Sequence, residues 1–131
     1  MFIESPKSKI NKSKKDVFEY LIDLKNFEQL MPENIDKFEV ISENRFLFSL
    51  TGMPEIVLER KSQTEHDQLV LGAASKKLPF TLTADLTELQ TDETEVTLSF
   101  NGEFNAMMAM MIKSPITNFI TTLSENLKKI K

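Results

Sequence analysis

The chain of 131 residues contains no cysteine, no tryptophan, only one histidine and only three glycines. Without cysteine it has no disulfide, no thiolate metal site and no cysteine nucleophile. A lone histidine argues against a zinc site of the usual kind. Three glycines are too few for a phosphate-binding or dinucleotide-binding loop, and no nucleophile elbow occurs. We therefore expect no bound metal, no cofactor and no catalytic residue from a known motif.

The sequence also lacks long hydrophobic runs and a strong charge of one sign. No apolar stretch approaches the roughly 18–20 residues of a membrane span, and the first residues do not resemble a signal peptide. The net charge of -4 gives no general attraction to nucleic acid. We expect a cytoplasmic protein with no membrane span and no nucleic-acid partner. Its 40% hydrophobic and 27% charged residues are typical of a globular protein, and its length predicts one domain over residues 1–131.

Near the start, the stretch SKKDVFEYLIDL predicts a helix. Ser13 is placed to cap it, and Asp16 lies in its first turn, where a negative charge complements the helix dipole. Tyr20 is predicted to be a core residue whose hydroxyl reaches a polar edge. Pro32 disfavours helical backbone at the preceding residue, so the helical region should end before it.

The middle of the chain predicts strands, because apolar and polar residues alternate with a period of two. The clearest examples are PFTLTADLTELQ and TEVTLSFNGEF, in which threonines and a serine lie opposite leucines and phenylalanines. Such alternation is typical of a sheet with one covered face and one wet face. The connectors ENR, TEHD and TDET are short and polar, which predicts an antiparallel meander, with His66 in a surface turn. KFEVIS, RFLFSLTG, EIVLERKSQ and QLVLGAASK supply the other candidate strands.

The last third combines a methionine cluster with a long amphipathic pattern. Four of the seven methionines fall in residues 107–111, and an apolar stripe with three- and four-residue spacing follows. The methionines are interpreted as soft core filler, as an adaptable wall around a ligand, or as a docking surface. Because proline is well tolerated at the first position of a helix, Pro115 is predicted to open the main helix after a short leading segment capped by Asn105. That arrangement makes Pro115 either a packing kink or a hinge.

The order of these elements resembles the START-like, or SRPBCC, superfamily, whose fold is called helix-grip. The resemblance covers essentially the whole chain. The stretch SKKDVFEYLIDLKNFEQLMPENI is similar to the opening helix of that family, and FTLTADLTELQTDETEVTLSFNGEF followed by MMAMMIKSPITNFITTLSENLKKI is similar to its last two long strands and closing helix. The resemblance implies an α+β fold, with a curved antiparallel sheet of about six to seven strands wrapped on a long C-terminal helix. It also implies a ligand cavity between sheet and helix, as in polyketide cyclase and birch-pollen-allergen-like proteins.

We therefore expect the protein to bind a small hydrophobic or amphipathic ligand, lipid-like or polyketide-like, between its sheet and its C-terminal helix. Arg60 shares the strand phase of Ile56 and Leu58, so it is a candidate for binding a ligand carboxylate at the inner rim, unless a bulge turns it to solvent. The candidate ligand-binding residues are Phe46, Phe48, Leu58, Arg60, Leu82, Phe100, Met108, Met111 and Phe119.

Two alternatives belong to other function classes. A cyclase-like or hydratase-like enzyme acting in the same cavity would need at least two polar groups pointing inward as acid and base, and the alternating strands supply almost none. An interaction module would instead use the Met-rich edge of the helix as an exposed apolar patch. A dry pocket of some hundreds of cubic ångströms favours the binding protein over both.

Overall fold

The structure is a computed structural model that describes residues 1–51, 55–74 and 79–130. Two short strands come first, then a helix with a following 3-10 helix, six further strands and a long helix. These elements are β1 (Phe2–Glu4), β2 (Ser8–Ile10), α1 (Lys14–Ile22), the 3-10 helix Leu24–Leu30, β3 (Ile35–Ser42), β4 (Arg45–Leu50), β5 (Ile56–Thr64), β6 (Gln68–Ala73), β7 (Phe80–Gln90), β8 (Glu93–Gly102) and α2 (Ala106–Leu127).

All the strands belong to one antiparallel sheet in the order β1-β8-β7-β6-β5-β4-β3, and β2 also pairs with β8. From β3 to β8 each strand pairs with the next one in sequence, so the predicted meander is confirmed. The turn between β5 and β6 contains His66 at a φ of 65°, a left-handed conformation that suits a tight turn. The ring of His66 meets that of Phe18 edge to face at 5.7 Å.

The predicted alternation holds along the two longest strands. On β7, Leu82, Ala84 and Leu86 are buried while Asp85 is exposed, and the apolar members of β8 are buried in the same way. The threonines between them are only partly exposed, so the outer face is less wet than expected. Phe80, the first apolar residue of the alternation in β7, is only half-buried.

α1 begins where the sequence predicts. The backbone N–H of Asp16 donates to the Ser13 hydroxyl oxygen at 3.2 Å, as a capping serine should accept. The Tyr20 side chain is half-buried, and its hydroxyl donates to Gln29 Oε1 at 3.1 Å. Burial raises the Tyr20 pKa above its ordinary value. The 3-10 helix ends at Leu30, before Pro32, as predicted.

α2 differs from the prediction, because it is one continuous helix and Pro115 lies inside it. Asn105 caps it as expected, accepting from the Met108 N–H at 2.8 Å. Proline removes one helical hydrogen bond and crowds the preceding turn, which normally breaks a helix. The packing of the following turns on the sheet offsets this cost, since most helical stability in proteins comes from a buried face. The buried residues of that face are Ile116, Phe119, Ile120, Leu123, Ser124 and Leu127.

The second half of α2 is also held by polar contacts. The Ser8 hydroxyl donates to the Ser124 carbonyl at 2.7 Å, and the Ser124 hydroxyl, which lies next to it, donates to the carbonyl of Pro6 at 2.9 Å. The Asn126 amide donates to the carbonyl of Leu30 at 2.8 Å. These contacts fix the helix end over β2 and the 3-10 helix.

In the part of the chain that the structure describes, no helix is long and apolar enough to cross a membrane.

Candidate functional site

A cavity of about 610 Å³ lies between the sheet and the part of α2 from Met108 to Thr122. Its sheet side is formed by residues at the ends of β4, β5, β7 and β8, and its other side by the helix and by residues that follow the 3-10 helix. The lining residues are Pro32, Asn34, Leu50, Thr51, Ile56, Phe80, Phe100, Phe104, Met108, Met111, Ile112, Ser114, Pro115, Ile116, Asn118, Phe119 and Thr122.

The cavity lies at one end of the sheet because the other end is already filled. There Phe27 of the 3-10 helix stacks on Phe46 of β4, with ring centroids 5.3 Å apart, and Phe38 and Phe48 pack beside Phe46. Leu50 lies four residues further along β4, beyond the reach of that cluster, and borders the cavity instead. The same strand face is therefore solid core at its start and cavity wall at its end.

Phenylalanine rings form much of the cavity wall. Phe100 stacks on Phe80 at 4.9 Å and on Phe104 at 6.1 Å, so three rings line one side in series. On the helix side, Phe119 lies parallel to Phe48 at 5.0 Å and 6°. Flat rings held in this way present a rigid apolar surface to anything in the cavity.

The methionine cluster divides between the cavity and the outside. Met108 is half-buried and lines the cavity, and Met111 lines its rim with 66% of its surface exposed. Met107 and Met110 do not line it, and they are 74% and 82% exposed. None of the four belongs to the buried core. The helical repeat accounts for the split, since residues one or two apart on a helix face different directions.

The polar side chains of the described lining are neutral. It consists of Asn34, Thr51, Ser114, Asn118 and Thr122, and within residues 1–51, 55–74 and 79–130 no ionisable side chain borders the cavity. The same residues contain no group of three or more histidine, aspartate or glutamate side chains that could hold a metal ion. The described lining therefore offers hydroxyl and amide groups for hydrogen bonding and no titratable acid or base.

The structure brings four of the nine candidate residues together at the cavity: Phe100, Met108, Met111 and Phe119. Four others, Phe46, Phe48, Leu58 and Leu82, are buried in the core without bordering it. They are on the expected face but lie further along their strands than the cavity, since a period of two identifies the face of a strand and not the position along it.

Arg60 lies away from the cavity. β5 shifts register only after Arg60, between Arg60 and Ser62, so Arg60 keeps the strand phase of Leu58 and lies across from the buried Leu71. It is on the inner face, but at the end of that face where α1 lies and not at the cavity. Its guanidinium donates to the carbonyl of Ile22 at 2.5 Å and to that of Glu43 at 3.2 Å. A cation at the end of α1 is favourable for the helix dipole. The side chain therefore ties α1 to the sheet, and it is not a wall residue.

Other charged groups cluster on the outer face of the sheet. Glu59 of β5 accepts from Lys61 Nζ at 2.6 Å and from Arg45 at 2.8 Å. The hydrogen bond from Lys61, together with the charges of both cations, lowers the Glu59 pKa below its usual range. This cluster alternates with the inward residues of β4 and β5, so it lies on the face opposite the cavity.

Several wall residues were not among the candidates. Leu50 and Ile56 share the strand phase of Phe46, Phe48 and Leu58, so the same alternation identified their face. Phe80 and Phe104 lie at the outer ends of the β7 and β8 segments, and Ile112 and Ile116 belong to the helix stripe. For Phe80 and Phe104, the position next to a strand end was the signal that could have identified them as residues of the open end of the cavity.

Comparisons with known proteins give a fold and not a closer relationship. No family model matches the sequence, and no curated protein matches it. Among solved structures, norcoclaurine synthase from Thalictrum flavum, a point mutant in complex with a transition-state analogue, has a TM-score of 0.76 at 12% identity, covering 98% of this chain and 92% of that one. The protein XoxI from Bacillus cereus has a TM-score of 0.75 at 9% identity, covering 98% and 93%.

A START superfamily protein from Mycobacterium smegmatis matches over 99% of both chains, with a TM-score of 0.70 and 9% identity. At these identities the similarity concerns architecture, and function has to be argued from the site. The curved antiparallel sheet and the long C-terminal helix are shared. The chain therefore has the helix-grip α+β fold of START-like proteins, and the resemblance predicted from its sequence is confirmed at the level of the fold.

Proposed function

We propose that this protein, as a single START-like domain over residues 1–131, binds a small hydrophobic or amphipathic ligand between its sheet and α2. The observation that carries the proposal is the cavity of about 610 Å³ lined mainly by apolar and aromatic side chains. Ligand pockets typically enclose about 300–1,000 Å³ and combine such walls with a few polar groups. Apolar surface removed from water contributes roughly 25 cal/mol per Å², so burying an apolar ligand here is favourable.

The rim supports the same function. Met108 and Met111 are unbranched and polarizable, so they can repack around ligands of different shape. Further support comes from the fold: one solved structure that shares it is an enzyme in complex with a small transition-state analogue. Lipid-like and polyketide-like molecules are the ligand classes that the START-like resemblance suggests.

A cyclase-like or hydratase-like reaction in the same cavity is the second candidate. General acid–base catalysis needs titratable side chains within hydrogen-bond reach of the reacting atoms. The described lining offers only hydroxyl and amide groups, which favours binding over catalysis. A third candidate, an interaction module, is favoured by the exposure of Met107 and Met110, because adjacent exposed apolar side chains mark docking surfaces.

Uptake of N-phenyl-1-naphthylamine, a neutral apolar dye whose fluorescence rises in apolar surroundings, tests the proposal. We expect saturable binding by the purified protein. The substitution Met108→Trp places a bulky ring inside the cavity and should abolish most of the fluorescence rise. Met110→Trp is the matched control, because Met110 lies on the same helix but outside the cavity and is exposed.

Equal dye binding by the two tryptophan variants would refute the cavity as the binding site. A loss confined to Met110→Trp would favour the interaction surface instead. Native mass spectrometry of freshly purified protein adds an independent observation, since a co-purified lipophile should dissociate from the wild type and be absent from Met108→Trp.

A further inference from the structure

One row of polar residues runs along α2 beside the cavity. Ser114, Asn118, Thr122 and Asn126 are each four positions apart. On a helix this spacing places side chains one above another on the same face. The first three border the cavity, and they lie at one edge of the helix surface that lines it.

The fourth member of the row shows how such a residue behaves where protein lies opposite. Asn126 donates to the backbone carbonyl of Leu30 at 2.8 Å, at the end of the 3-10 helix. Where the row borders the cavity, none of the three side chains forms a hydrogen bond to any residue that the structure describes. Thr122 is half-buried, whereas Ser114 and Asn118 are exposed and lie at the open rim. The same polar edge thus changes from protein partners to open space at the cavity boundary.

Polar residues outside α2 also line the cavity. Asn34 and Thr51 line the cavity, and the Thr51 hydroxyl already donates to the Asn34 carbonyl at 2.9 Å. The aromatic wall of Phe80, Phe100 and Phe104 supplies the apolar part of the lining. The cavity is therefore amphipathic, with a neutral hydrogen-bonding edge and an apolar body.

We infer that Ser114, Asn118 and Thr122 select an uncharged ligand that carries hydroxyl, carbonyl or amide groups along one edge of an apolar, preferably aromatic, body. Hydroxyls and amides both donate and accept, so they match such groups. Neighbouring members of the row are about 6 Å apart along the helix axis, which sets the spacing of the ligand groups. An ionised group carried into the apolar body of the cavity would lose its hydration with no counter-charge among the described lining residues, which is costly. This inference rests on the proposed function.

Three compounds on one ring system test it: naphthalene, 2,7-naphthalenediol and naphthalene-2,7-dicarboxylate. The diol has phenolic hydroxyls that stay neutral at pH 7. Its two oxygens lie along one edge of the ring system, and their separation is comparable to the distance between neighbours in the row. Titration calorimetry at pH 7 with the protein in the syringe measures each dissociation constant. For the wild type we expect the diol to bind most tightly and the dicarboxylate most weakly.

The variant Ser114→Ala, Asn118→Leu, Thr122→Val removes the polar row while keeping its volume similar. Each neutral hydrogen bond lost should weaken diol binding roughly fivefold, whereas naphthalene should bind as tightly as before or more tightly. Thr121→Val is the matched control, because Thr121 is on the same helix but does not line the cavity. It should change none of the three constants. Thermal melting of both variants checks that they stay folded.

Three results would overturn the inference. The first is a ratio of diol to naphthalene affinity that is the same in the triple variant and the wild type. The second is no preference for the diol in the wild type, and the third is dicarboxylate binding as tight as that of the diol. In each case continued uptake of N-phenyl-1-naphthylamine leaves the proposed function standing, whereas loss of dye and naphthalene binding by the wild type refutes that function itself.

Discussion

Phe119 occupies a position where core and cavity meet, and its replacement by alanine separates the two roles. Its ring is 4% exposed and stacks on Phe48 at 5.0 Å on one side, while it borders the cavity on the other. Phe46 is the comparison, because it is 0% exposed and has rings of Phe27, Phe38 and Phe48 around it. Both changes remove the same atoms, so differences in outcome reflect surroundings alone.

The expected cost differs between the two sites. Truncating a buried phenylalanine to alanine typically costs about 3–5 kcal/mol, and the value rises with the volume of the new void. Phe119 loses one aromatic neighbour and already has empty space beside it, so we expect a value near 3 kcal/mol. Phe46 loses three aromatic neighbours inside a closed cluster, so we expect a value near 5 kcal/mol.

Urea unfolding followed by circular dichroism measures these costs, since the chain has no tryptophan to report on folding. A loss of 3 kcal/mol in a chain of this size corresponds to roughly 10 °C in Tm. Phe119→Ala should enlarge the cavity and keep or increase the capacity for N-phenyl-1-naphthylamine. Phe46→Ala should leave dye binding unchanged at temperatures where the variant is folded. Equal destabilisation by both, together with equal changes in dye binding, would refute the division between solid core and cavity wall.

Three further predictions concern the rim, the arginine and the proline. The double change Met108→Leu, Met111→Leu should keep Tm within a few degrees, because the side-chain volumes match. It should narrow the range of dyes that displace N-phenyl-1-naphthylamine, because leucine repacks less freely than methionine. A Tm loss as large as that of a core truncation would show that these methionines stabilise the fold. Arg60→Met should lower the free energy of unfolding by about 1.5–3 kcal/mol, because the hydrogen bond to the Ile22 carbonyl is lost. Dye affinity should stay unchanged, and weaker dye binding in calorimetry would show that Arg60 contributes to the binding site. Pro115→Ala should restore one helical hydrogen bond and raise stability by about 1 kcal/mol in urea unfolding, and a loss of stability would mean that packing of the proline ring contributes more than the missing bond.

The sheet and its covered face follow from local pattern, and that is why they were predictable. The period of two in β7 and β8 requires that Leu82, Leu98 and Phe100 share one side, and the structure has them there. Short polar connectors between consecutive strands leave little choice except antiparallel pairing of neighbours. Ser13 as a helix cap was predictable for the same reason, because capping involves residues three positions apart.

Pro115 shows where local pattern is insufficient. Taken alone, the proline predicts a break, since its ring and missing N–H oppose helical backbone at that point. The helix nevertheless continues, because residues from Ile116 to Leu127 pack on the sheet and Ser8 and Asn126 fix the far end. That stabilisation involves contacts between parts of the chain that are distant in sequence, so the periodicity of one segment cannot predict it.

The position of the cavity depends on a second kind of distant contact. Phe46 and Leu50 lie on the same strand and the same face, and nothing in their alternation distinguishes them. The difference arises because Phe27 covers one end of the face, while the opposite end meets the first turns of α2, whose methionines do not fill the space. Which end is solid therefore depends on where the short 3-10 helix docks. Phe100 and Phe119 could be predicted to border the cavity because the sheet and the helix were expected to pack together. The position of Phe46 in the solid core could not be predicted, because it depends on contact with Phe27, which is distant in sequence.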